Sequence, residues 1–524
     1  MITLLDYGAG NVRSVINAIE KLGGAVKIAS NPEDVIKAEK LIFPGVGSFG
    51  SMMHILEKKN YVDPLKMFLR SGKPFFGICL GMQALFESSE EAPGIDGLGI
   101  FEGCVKRFQI EKSVPHIGWN GIRIKKPSPI FKAAAGNEKF YFVHSYYVAP
   151  DNRDVILTTT DYGLEFVSSV EFGNITGTQF HPEKSGEAGL ALLDNFIADA
   201  GEISMPPTVA SHTHLAKRII ACLDVRANDQ GDLVVTKGDQ YDVREKGTVR
   251  NLGRPVDLAA RYYTEGADEI TFLNITGFRD FPLEDMPMIK VLEETSRRVF
   301  VPLTIGGGIR DYVDKDGRQY SALEVASAYF RSGADKISIG SDAVLIAEAF
   351  LQFGKKTGKS AIEEISRVYG NQAVVISIDP RRVYVGSPGE TDHPVLETSI
   401  AGPEGEKYCW FQCTIKGGRE GRDMDATTLA RICEELGAGE ILLNCIDRDG
   451  TNSGFDVELV NAVRGAVSIP VIASSGAGCV EHFHDVFAET DAEAALAAGI
   501  FHRREVPIAD VKSHLDEKGV AVRR

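Results

Sequence analysis

A cysteine between two glycines has the setting of a nucleophile. Cys79 lies between Gly77 and Gly81, after an apolar run that predicts a strand and before a predicted helix that begins near Leu80. The glycines leave room for a tight turn, and the free N–H groups and positive dipole end of a helix favour the reactive thiolate. A cysteine in a buried strand often has only a structural role. The paired glycines, with a distant His-Pro-Glu sequence, favour a nucleophile here.

The distant histidine ends a later predicted strand. His181 is followed by Pro182, which stiffens the turn, and then by Glu183. This order suits a base that is oriented by a carboxylate, as nucleophilic catalysis requires. A lone histidine is more often structural or merely exposed, but this setting favours a base that serves Cys79.

A glycine-rich turn, Pro44–Ser48, follows another predicted strand. Taken alone, such a turn is more readily explained as a simple connection. With a nucleophile on a neighbouring strand, the backbone N–H groups of Gly45, Val46 and Gly47 become candidates for an oxyanion hole. The N–H group of Leu80 would be the second donor.

Two aspartates end similar strands in the second part of the chain. Ile220–Asp224 is similar to Val375–Asp379, and other segment pairs repeat at a spacing of roughly 155 to 170 positions. Two aspartates that face one site suit general acid–base chemistry. Either aspartate alone could be structural, and it is the symmetry that favours a catalytic role.

The same repeat places small or glycine-rich turns at corresponding strand ends of the two halves. Ile305–Ile309 corresponds to Ala473–Gly478, and Ser338–Ser341 corresponds to Ala497–Ile500. Such turns before helices present N–H groups and a helix dipole to a phosphate. Two of them on opposite sides of one opening predict a substrate with a phosphate at each end.

The strands and helices of the fold must bring these strand ends to one side of the molecule. Residues 216–524 contain eight apolar predicted strands, most of them separated by helices, which indicates a (β/α)8 barrel with its site at the strand C-termini. A doubly wound sheet is the alternative, and the half-barrel repeat favours the barrel. Residues 1–202 alternate strands and helices as in a parallel α/β sheet and then change to antiparallel β, which predicts a mixed sheet flanked by helices. Residues 203–215 contain a Pro-Pro pair and predict a short linker.

Composition limits the classes of function. The chain has 524 residues, too many for one core, and a net charge of −16, which argues against nucleic acid or an anionic membrane as partner. No apolar run is long enough to span a bilayer. Cys409 and Cys413 have a metal-like spacing but lack a second ligand pair, and the eight cysteines do not suggest a disulfide framework. We predict no metal, no cofactor and a cytoplasmic location, with a plastid as the alternative if a transit peptide was removed.

Three motifs of the first part carry a family resemblance. Pro44–Gly47, Gly77–Gln83 and His181–Glu183 resemble those of class I glutamine amidotransferases, so that residues 1–202 are identified as a glutaminase domain. The resemblance implies a triad of Cys79, His181 and Glu183 that attacks the side-chain amide of glutamine and releases ammonia. It also implies that Gln83 and Ser145 help to hold the glutamine.

The second part resembles the cyclase of imidazole glycerol phosphate synthases, and the whole chain resembles their fused fungal or plant form. The motifs that carry this are Leu215–Asp224, Gly306–Arg310, Asp447–Gly450 and Ser474–Gly478. The resemblance implies that glutamine and a bisphosphate, phosphoribulosyl formimino-AICAR-phosphate, yield imidazole glycerol phosphate, AICAR and glutamate in histidine synthesis. Asp224 and Asp379 would be the acid–base pair, and the fused chain would act as a monomer.

Further roles carry over from the same resemblance. Lys237 would close over the substrate, and other side chains and turns would contact it or its phosphates: Gly307, Gly308, Ser341, Asp449, Gly450, Ser475, Gly476, Ala498 and Gly499. Charged residues at strand starts would form a gate for ammonia, where the alternative is a solvated rim: Arg218, Glu269, Lys336 and Glu440. Four residues would lie at the domain interface: Asn11, Trp119, Lys184 and Asp335. We expect Lys184 and Asp335 to pair across it.

Some features depart from this pattern or favour other functions less well. Asn274 and Gly340 stand where aspartate and asparagine are expected, and no role is assigned to the long segment Val383–Cys413. An isomerase barrel would need no glutaminase, and a vitamin B6-type synthase would need a Schiff-base lysine on a barrel strand. A non-enzymatic scaffold would leave the predicted triad and the aspartate pair unexplained.

Overall fold

The computed structural model describes most of the chain. The described residues are 1–8, 11–132, 134–198, 213–228, 232–236, 251–275, 283, 287–314 and 316–524, together with the backbone of 244–245 and 248–249. Lys237 and residues 203–212 of the predicted linker lie outside them. The domain boundaries at 202 and 216 therefore stay a prediction.

The first domain combines a parallel and an antiparallel half in one sheet. Its strands are β1 (Ile2–Leu5), β2 (Val26–Ala29), β3 (Lys40–Gly45), β4 (Phe75–Cys79), β5 (Ser88–Ser89), β6 (Gly103–Arg107), β7 (His116–Gly121), β8 (Arg123–Ile124), β9 (Lys139–His144), β10 (Tyr146–Pro150), β11 (Ile156–Asp161), β12 (Glu165–Phe172) and β13 (Ile175–Thr178). Its helices are α1 (Val12–Lys21), α2 (Pro32–Lys37), α3 (Phe49–Lys58), α4 (Val62–Leu69), α5 (Leu80–Gln83) and α6 (Gly186–Ile197).

The sheet order brings the predicted triad together. Strands β2, β1, β3, β4 and β13 pair in parallel in that order, and β12, β10 and β6 continue the sheet in antiparallel fashion. Gly45 at the end of β3 pairs with Cys79 at the end of β4. Since parallel strands end at one edge of a sheet, the glycine-rich turn, the cysteine and His181 after β13 lie at the same edge.

Two local expectations need correction. The helix after Cys79 is the single turn α5 of four residues. Its dipole is therefore small, and the free N–H groups of the turn contribute more to a thiolate than the dipole does. Strand β7 was not predicted, because its residues His116–Gly121 do not alternate between apolar and polar types; they are buried on both faces where β7 pairs with β9.

The second domain is built from eight parallel strands that close on themselves. The strands of the closed sheet are β14 (Arg218–Ala227), β18 (Glu269–Asn274), β19 (Leu303–Gly306), β22 (Lys336–Ile339), β23 (Val374–Ile378), β28 (Glu440–Asn444), β29 (Val471–Ser474) and β30 (Ala494–Ala497). Closure comes from the parallel pairing of β30 with β14. The predicted eight-stranded barrel is thus confirmed.

Helices cover the barrel, and additional strands lie in its loops. The helices are α7 (Pro255–Thr264), α8 (Pro287–Ser296), α9 (Ala322–Arg331), α10 (Ser341–Phe353), α11 (Ala361–Tyr369), α12 (Ala426–Leu436), α13 (Val457–Arg464), α14 (Val480–Glu489), α15 (Gly499–His502) and α16 (Ile508–Glu517). The other strands are β15 (Leu233–Thr236), β16 (Arg244–Glu245), β17 (Thr248–Val249), β20 (Tyr312–Val313), β21 (Gln319–Tyr320), β24 (Pro380–Val385), β25 (Leu396–Glu397), β26 (Tyr408–Ile415) and β27 (Glu420–Asp425). In the described part of the chain, none of the helices combines the length and apolar character that crossing a bilayer requires.

The long segment Val383–Cys413 belongs to a small antiparallel sheet of β24, β26, β25 and β27. Arg382 anchors this sheet to the next barrel loop, because its guanidinium group lies 2.6 Å from Asp456 and 2.9 Å from Glu458. Arg382 lies in β24, whereas Asp456 and Glu458 lie at the start of α13. The segment therefore supports the loop that carries Asp449 and Gly450.

Candidate active sites and the path between them

The backbone at Cys79 has the strained geometry of a nucleophile elbow. Its φ is 53° and its ψ is −107°, a combination that costs an L-residue free energy and is found mainly at functional sites. The flanking glycines make the close packing possible. A Cβ at Gly81 would lie 1.9 Å from the carbonyl oxygen of Phe43, and one at Gly77 would lie 2.6 Å from the carbonyl oxygen of Gly81.

His181 and Glu183 are buried beside Cys79. The Nδ1 atom of His181 lies 2.8 Å from Oε1 of Glu183, and the two residues are only 5 % and 4 % exposed. Burial by itself lowers the pKa of His181, but the charge of Glu183 and the hydrogen bond to Cys79 together raise it well above its usual value. The arrangement therefore favours an imidazolium beside a thiolate, which is the reactive pair in cysteine hydrolases.

The predicted oxyanion loop is held by a tyrosine. The hydroxyl group of Tyr7 donates to the carbonyl oxygen of Val46 at 2.5 Å, and the N–H group of Val46 donates to the same hydroxyl at 3.2 Å. Gly45 packs against Leu80, and Gly47 lies against the carbonyl oxygen of Val368 in the barrel domain. The Val46 N–H group is therefore already engaged in this conformation.

The two residues predicted to hold glutamine have partners within the protein. Gln83 is buried, and its Nε2 atom donates to the carbonyl oxygen of Tyr146 at 3.2 Å and to Oε1 of Gln179 at 3.0 Å. Ser145 donates to Oδ1 of Asn371 at 3.3 Å, across the domain interface. Sequence reasoning missed Tyr7 and Gln179, although Gln179 stands two residues before His181.

A cavity of about 30 Å³ lies between the two domains. We call it the interdomain cavity, and its lining includes Cys79, His181, Tyr141, Lys184, Asp335, Lys336 and Gln372. Its volume is sufficient for about one or two small molecules of the size of water or ammonia. The predicted nucleophile and the underside of the barrel thus share one space.

The four charged residues at strand starts form a closed ring, which we call the gate ring. Arg218 pairs with Glu269 at 2.9 Å and with Glu440, and Lys336 lies 2.6 Å from both carboxylates. All four residues are at most 1 % exposed. Burial raises the pKa of Glu440, but the charges of Arg218 and Lys336 lower it by more, so the carboxylate stays ionised. The alternative of a solvated rim is therefore wrong.

The remaining predicted interface residues also make contacts between the domains. Asn11 Nδ2 donates to Asp335 Oδ1 at 2.8 Å and to the carbonyl oxygen of Gly333 at 3.0 Å. Lys184 Nζ lies 2.7 Å from Asp335 Oδ2 as an ion pair without hydrogen-bond alignment. Trp119 Nε1 donates to the carbonyl oxygen of Asp268 at 3.1 Å. These contacts surround the interdomain cavity and the bottom of the barrel.

At the opposite face, six predicted substrate contacts and one predicted acid–base residue line one pocket of about 130 Å³. We call it the mouth pocket, and it brings together Asp224, Asp449, Gly450, Ser475, Gly476, Ala498 and Gly499. Ser475 has a positive φ of 74°, and a Cβ at Gly476 would lie 2.1 Å from the carbonyl oxygen of Gly454. The turn therefore packs too closely against Gly454 to accept a side chain at position 476.

Asp379 stands across the barrel from Asp224 and does not line the mouth pocket. Its Oδ1 atom accepts a hydrogen bond of 2.8 Å from Nδ2 of Asn444. Burial raises the pKa of Asp379, the bond from Asn444 lowers it, and the charge of Asp449 raises it, with a net upward shift. A carboxyl group of this kind exchanges protons closer to neutral pH than an exposed aspartate does.

The turns of the first half that were predicted to bind a phosphate lie apart from the mouth pocket as well. Gly307 and Gly308 have φ values of 91° and 79°, and Gly307 packs against the carbonyl oxygen of Asn274. Ser341 begins α10, and its Oγ atom accepts from the N–H group of Lys416 at 3.0 Å. At Gly340, a Cβ would come no closer than 3.9 Å to a neighbour, so the site has room for the expected asparagine.

Metal binding finds no support in the described residues. Among them, no group of three or more His, Cys, Asp and Glu side chains is arranged to hold a metal ion. Cys409 and Cys413 are both free thiols within β26.

The barrel interior between the gate ring and the mouth pocket contains an apolar cluster together with buried hydroxyl groups, such as those of Thr304 and Ser338. Its central cluster consists of Ile220, Cys222, Val375, Leu442, Ile472, Ala494 and Leu496. Leu496 also lines the mouth pocket. A small neutral molecule that passed the gate ring would therefore meet apolar side chains and buried hydroxyl groups before it reached the opposite face.

Comparison with known proteins agrees with both halves. Residues 3–200 match the family "Glutamine amidotransferase class-I", and residues 218–507 match the family "Histidine biosynthesis protein". The "imidazole glycerol phosphate synthase hisHF, chloroplastic" of Arabidopsis thaliana is 58 % identical over 100 % of this chain and 89 % of its own length. The hisHF protein of Schizosaccharomyces pombe is 55 % identical over 100 % of both chains. The HisF subunit of Methanosphaera stadtmanae is 43 % identical over 59 % of this chain and 99 % of its own length.

The fold and the full-length similarity lead to the same result. A class I glutamine amidotransferase domain precedes a closed eight-stranded barrel, as the sequence motifs predicted. The chain therefore belongs to the imidazole glycerol phosphate synthase hisHF family.

Proposed function

We propose that this chain is a bifunctional enzyme that hydrolyses glutamine at Cys79 and uses the ammonia at the far end of the barrel. There it converts phosphoribulosyl formimino-AICAR-phosphate into imidazole glycerol phosphate and AICAR, a step of histidine synthesis. The observation that carries this proposal is the interdomain cavity, which is lined by Cys79 and His181 on one side and by Lys336 of the gate ring on the other.

The glutaminase step uses the buried triad. The thiolate of Cys79 attacks the side-chain amide carbon of glutamine, and the negative charge moves to the amide oxygen. His181, held by Glu183, gives its proton to the departing nitrogen, so that ammonia leaves and a thioester remains. Water, deprotonated by His181, then cleaves the thioester to glutamate. The N–H groups of Leu80 and, once released from Tyr7, of Val46 are the donors for the oxyanion.

The route of ammonia is supported by the geometry on both sides of the gate ring. Ammonia formed in the interdomain cavity lies next to Lys336, whereas ammonia released into water at neutral pH would be mostly protonated and no longer nucleophilic. The gate ring is closed by four ion pairs. One of its ion pairs must open to admit ammonia to the interior of the barrel, which is roughly 20 Å long for a strand of about six residues.

The cyclase step takes place at the C-terminal face. The backbone turns at Gly307–Gly308 and Ser475–Gly476 suit two phosphates on opposite sides of the opening, and Asp224 and Asp379 lie between them in the barrel order. Asp379, with its raised pKa, suits a group that gives and takes a proton during ring closure. Lys237, which lies outside the described residues, is proposed as an additional substrate contact.

The fusion of both domains supports a single chain as the working unit, and we propose a monomer. Both active sites, the interdomain cavity and the gate ring are formed by one chain. The cytoplasm is the compartment that the sequence favours. The plastid is the alternative, since the relative from Arabidopsis thaliana is named chloroplastic.

The two-site proposal is tested with Cys79→Ala and Asp224→Asn in the full chain. We expect Cys79→Ala to abolish glutamine-dependent cyclisation and to retain cyclisation with added ammonium salt. Asp224→Asn should stop cyclisation with either nitrogen source. Cys104→Ala, which changes a half-buried cysteine outside both sites, serves as the control. Loss of both activities in Cys79→Ala, or near-normal turnover in Asp224→Asn, would refute the proposal.

A further inference from the structure

The side chain of Gln179 contacts the sulfur of the nucleophile. Its Nε2 atom lies 3.4 Å from Sγ of Cys79, and the two residues are 0 % and 6 % exposed. Gln179 directly follows β13, the strand that pairs in parallel with β4, so its position next to the end of β4 is fixed by the sheet. Besides His181, the sulfur therefore has a second polar neighbour.

Neighbouring groups determine which end of the Gln179 amide faces the sulfur. The backbone carbonyl oxygen of Tyr146 can only accept, so the Gln83 atom that lies 3.2 Å from it must be the nitrogen of the amide group. The same nitrogen lies 3.0 Å from Gln179, whose atom there must be the acceptor Oε1. The amide nitrogen of Gln179 is therefore the end that faces Cys79. The assignment follows from an obligate acceptor and not from an arbitrary choice of amide orientation.

The Tyr146 carbonyl is itself fixed by a buried pair of histidines. His144 Nδ1 lies 2.6 Å from this oxygen and must donate to it, so that Nε2 of His144 accepts from Nδ1 of His116 at 3.1 Å. Burial lowers the pKa of His144 to about 3 and that of His116 well below its usual value. Both rings are thus neutral near pH 7 and keep these tautomers. The donor to the sulfur is held by a chain of partners that do not change their protonation state near neutral pH.

We propose that Gln179 is a fourth catalytic residue of the glutaminase site, whose amide N–H group donates a hydrogen bond to the Cys79 thiolate and stabilises it. This inference rests on the proposed glutamine hydrolysis at Cys79. When the sulfur attacks the amide carbon, the C–S bond forms and the negative charge moves to the substrate oxygen. The Gln179 hydrogen bond then weakens, and no proton is transferred through Gln179. Its role is to increase the fraction of thiolate before the attack.

This role has a signature in the reactivity of Cys79 that a purely structural role would not produce. Hydrogen bonds to charged groups are strong enough to shift the pH midpoint of thiolate formation by about one pH unit. Without the bond, the thiolate forms at higher pH, but each thiolate is more nucleophilic. With the usual dependence of thiolate reactivity on basicity, the plateau rate at high pH should increase about threefold.

The test compares Gln179→Met with the unchanged full-length chain. Alkylation by iodoacetamide is followed across pH by mass spectrometry of the peptide that contains Cys79, because seven other cysteines are present. We expect Gln179→Met to raise the pH midpoint by about one unit and the plateau rate by about threefold. Its glutamine-dependent turnover at pH 7 should fall severalfold, and ammonium-driven cyclisation should stay unchanged. Thr176→Val, on the opposite face of the same strand, is the matched control.

An alkylation profile of Gln179→Met that coincides with that of the unchanged chain would overturn the proposal. Gln179→Glu keeps the shape of the side chain and replaces the donor by an acceptor, so it should raise the midpoint further than Gln179→Met. If Gln179→Met loses ammonium-driven cyclisation and hence its fold, Gln179→Glu serves as the test instead. A pH midpoint of Cys79 alkylation in Gln179→Glu that is equal to or below that of the unchanged chain would also overturn the proposal. Failure of the glutaminase function itself would appear separately, as absence of glutamine hydrolysis in the unchanged chain.

Discussion

Cys79 of the first domain and Lys336 of the barrel line the same cavity of about 30 Å³, although 257 positions separate them in the chain. Lys336 also lies 2.6 Å from Glu269 and from Glu440 in the gate ring. The site where ammonia would form is therefore one side chain away from the entrance to the barrel. In the proposed mechanism, this contact connects the separate sites of glutamine hydrolysis and ring closure.

Removing the hydroxyl group of Tyr7 should increase glutamine hydrolysis in the absence of the bisphosphate. Tyr7→Phe deletes both hydrogen bonds that hold the Val46 peptide, so its N–H group is free to stabilise the oxyanion. Since one such donor contributes a factor of about 100 or more in rate, a rise of about tenfold is expected. Glutamate release is measured with and without the bisphosphate. The control is Tyr61→Phe, which changes a buried tyrosine whose hydroxyl group contacts a carbonyl oxygen at 3.5 Å. An unchanged rate of glutamine hydrolysis without the bisphosphate in Tyr7→Phe would contradict this role of Tyr7.

Neutralising one carboxylate of the gate ring should destabilise the barrel. Glu440→Gln leaves Arg218 and Lys336 without one of their buried partners, and such losses cost about 3 kcal/mol or more. The measurement is the free energy of unfolding in urea at pH 7. Glu20→Gln, on an exposed position of α1, is the control and should change this free energy little. A change in Glu440→Gln as small as in the control would contradict the buried network.

The destabilisation caused by Glu440→Gln should depend on pH in one direction. Burial raises the pKa of Glu440, but Arg218 and Lys336 lower it by more, to a net value below the ordinary 4.5. A lowered folded-state pKa adds stability that is complete above the unfolded pKa and is lost as the pH falls through the folded pKa. The difference in unfolding free energy between the unchanged chain and Glu440→Gln should therefore be constant above pH 4.5 and shrink below it. If this difference in unfolding free energy grew as the pH fell, the pKa of Glu440 would be raised in the folded state and not lowered.

Removing the hydrogen bond to Asp379 should shift the acidic limb of the pH profile of the cyclisation rate to higher pH. Asn444 donates to Asp379 and lowers its pKa against the effects of burial and of Asp449. Asn444→Ala deletes this opposing contribution, so the pKa of Asp379 should rise further. The test is the pH profile of ammonium-driven cyclisation, corrected for the ammonia available at each pH. If the acidic limb of the profile shifted to lower pH or did not shift, Asp379 would not be the group whose protonation causes that limb.

The ion pair between Lys184 and Asp335 should transmit occupancy of the barrel to the glutaminase. Lys184 lies in the turn after His181, and Asp335 also accepts from Asn11 and from the N–H group of Leu303 on β19. We expect Lys184→Ala to reduce the stimulation of glutamine hydrolysis by the bisphosphate severalfold and to leave ammonium-driven cyclisation intact. Lys126→Ala, which contacts only the first domain, is the control. Unchanged stimulation in Lys184→Ala would argue against this route.

Local sequence features predicted the elements that carry the chemistry. The glycines beside Cys79 are needed by the turn itself, since any Cβ there would collide with the backbone. The repeat that ends in Asp224 and Asp379 is visible as similar segments at a regular spacing, and Glu269, which was predicted at a strand start, begins β18. Such features depend on residues close together in the chain or on regular repetition, so a single sequence contains them.

Other parts of the site depend on contacts between distant residues. The bond between Tyr7 and Val46 joins positions 39 residues apart, and that between Gln179 and Cys79 joins positions 100 apart. Their donors and acceptors are defined only when strands β1, β3, β4 and β13 lie side by side. For the same reason, the sequence did not indicate that the amide nitrogen of Gln83, which is predicted to help hold glutamine, contacts Tyr146 and Gln179. The small sheet formed by β24 to β27 was also missed, because its longest strand, β26, does not alternate between apolar and polar residues.

The most direct test of the transfer of ammonia inside the protein is an isotope competition. The full chain receives glutamine labelled with ¹⁵N in its side-chain amide, together with unlabelled ammonium at a concentration that supports slow but measurable cyclisation by Cys79→Ala. That ammonium is in large excess over the ammonia released from glutamine. The nitrogen of imidazole glycerol phosphate should then come almost entirely from glutamine. Product whose label is diluted to the isotope ratio of the solution would contradict a closed path from Cys79 through the gate ring.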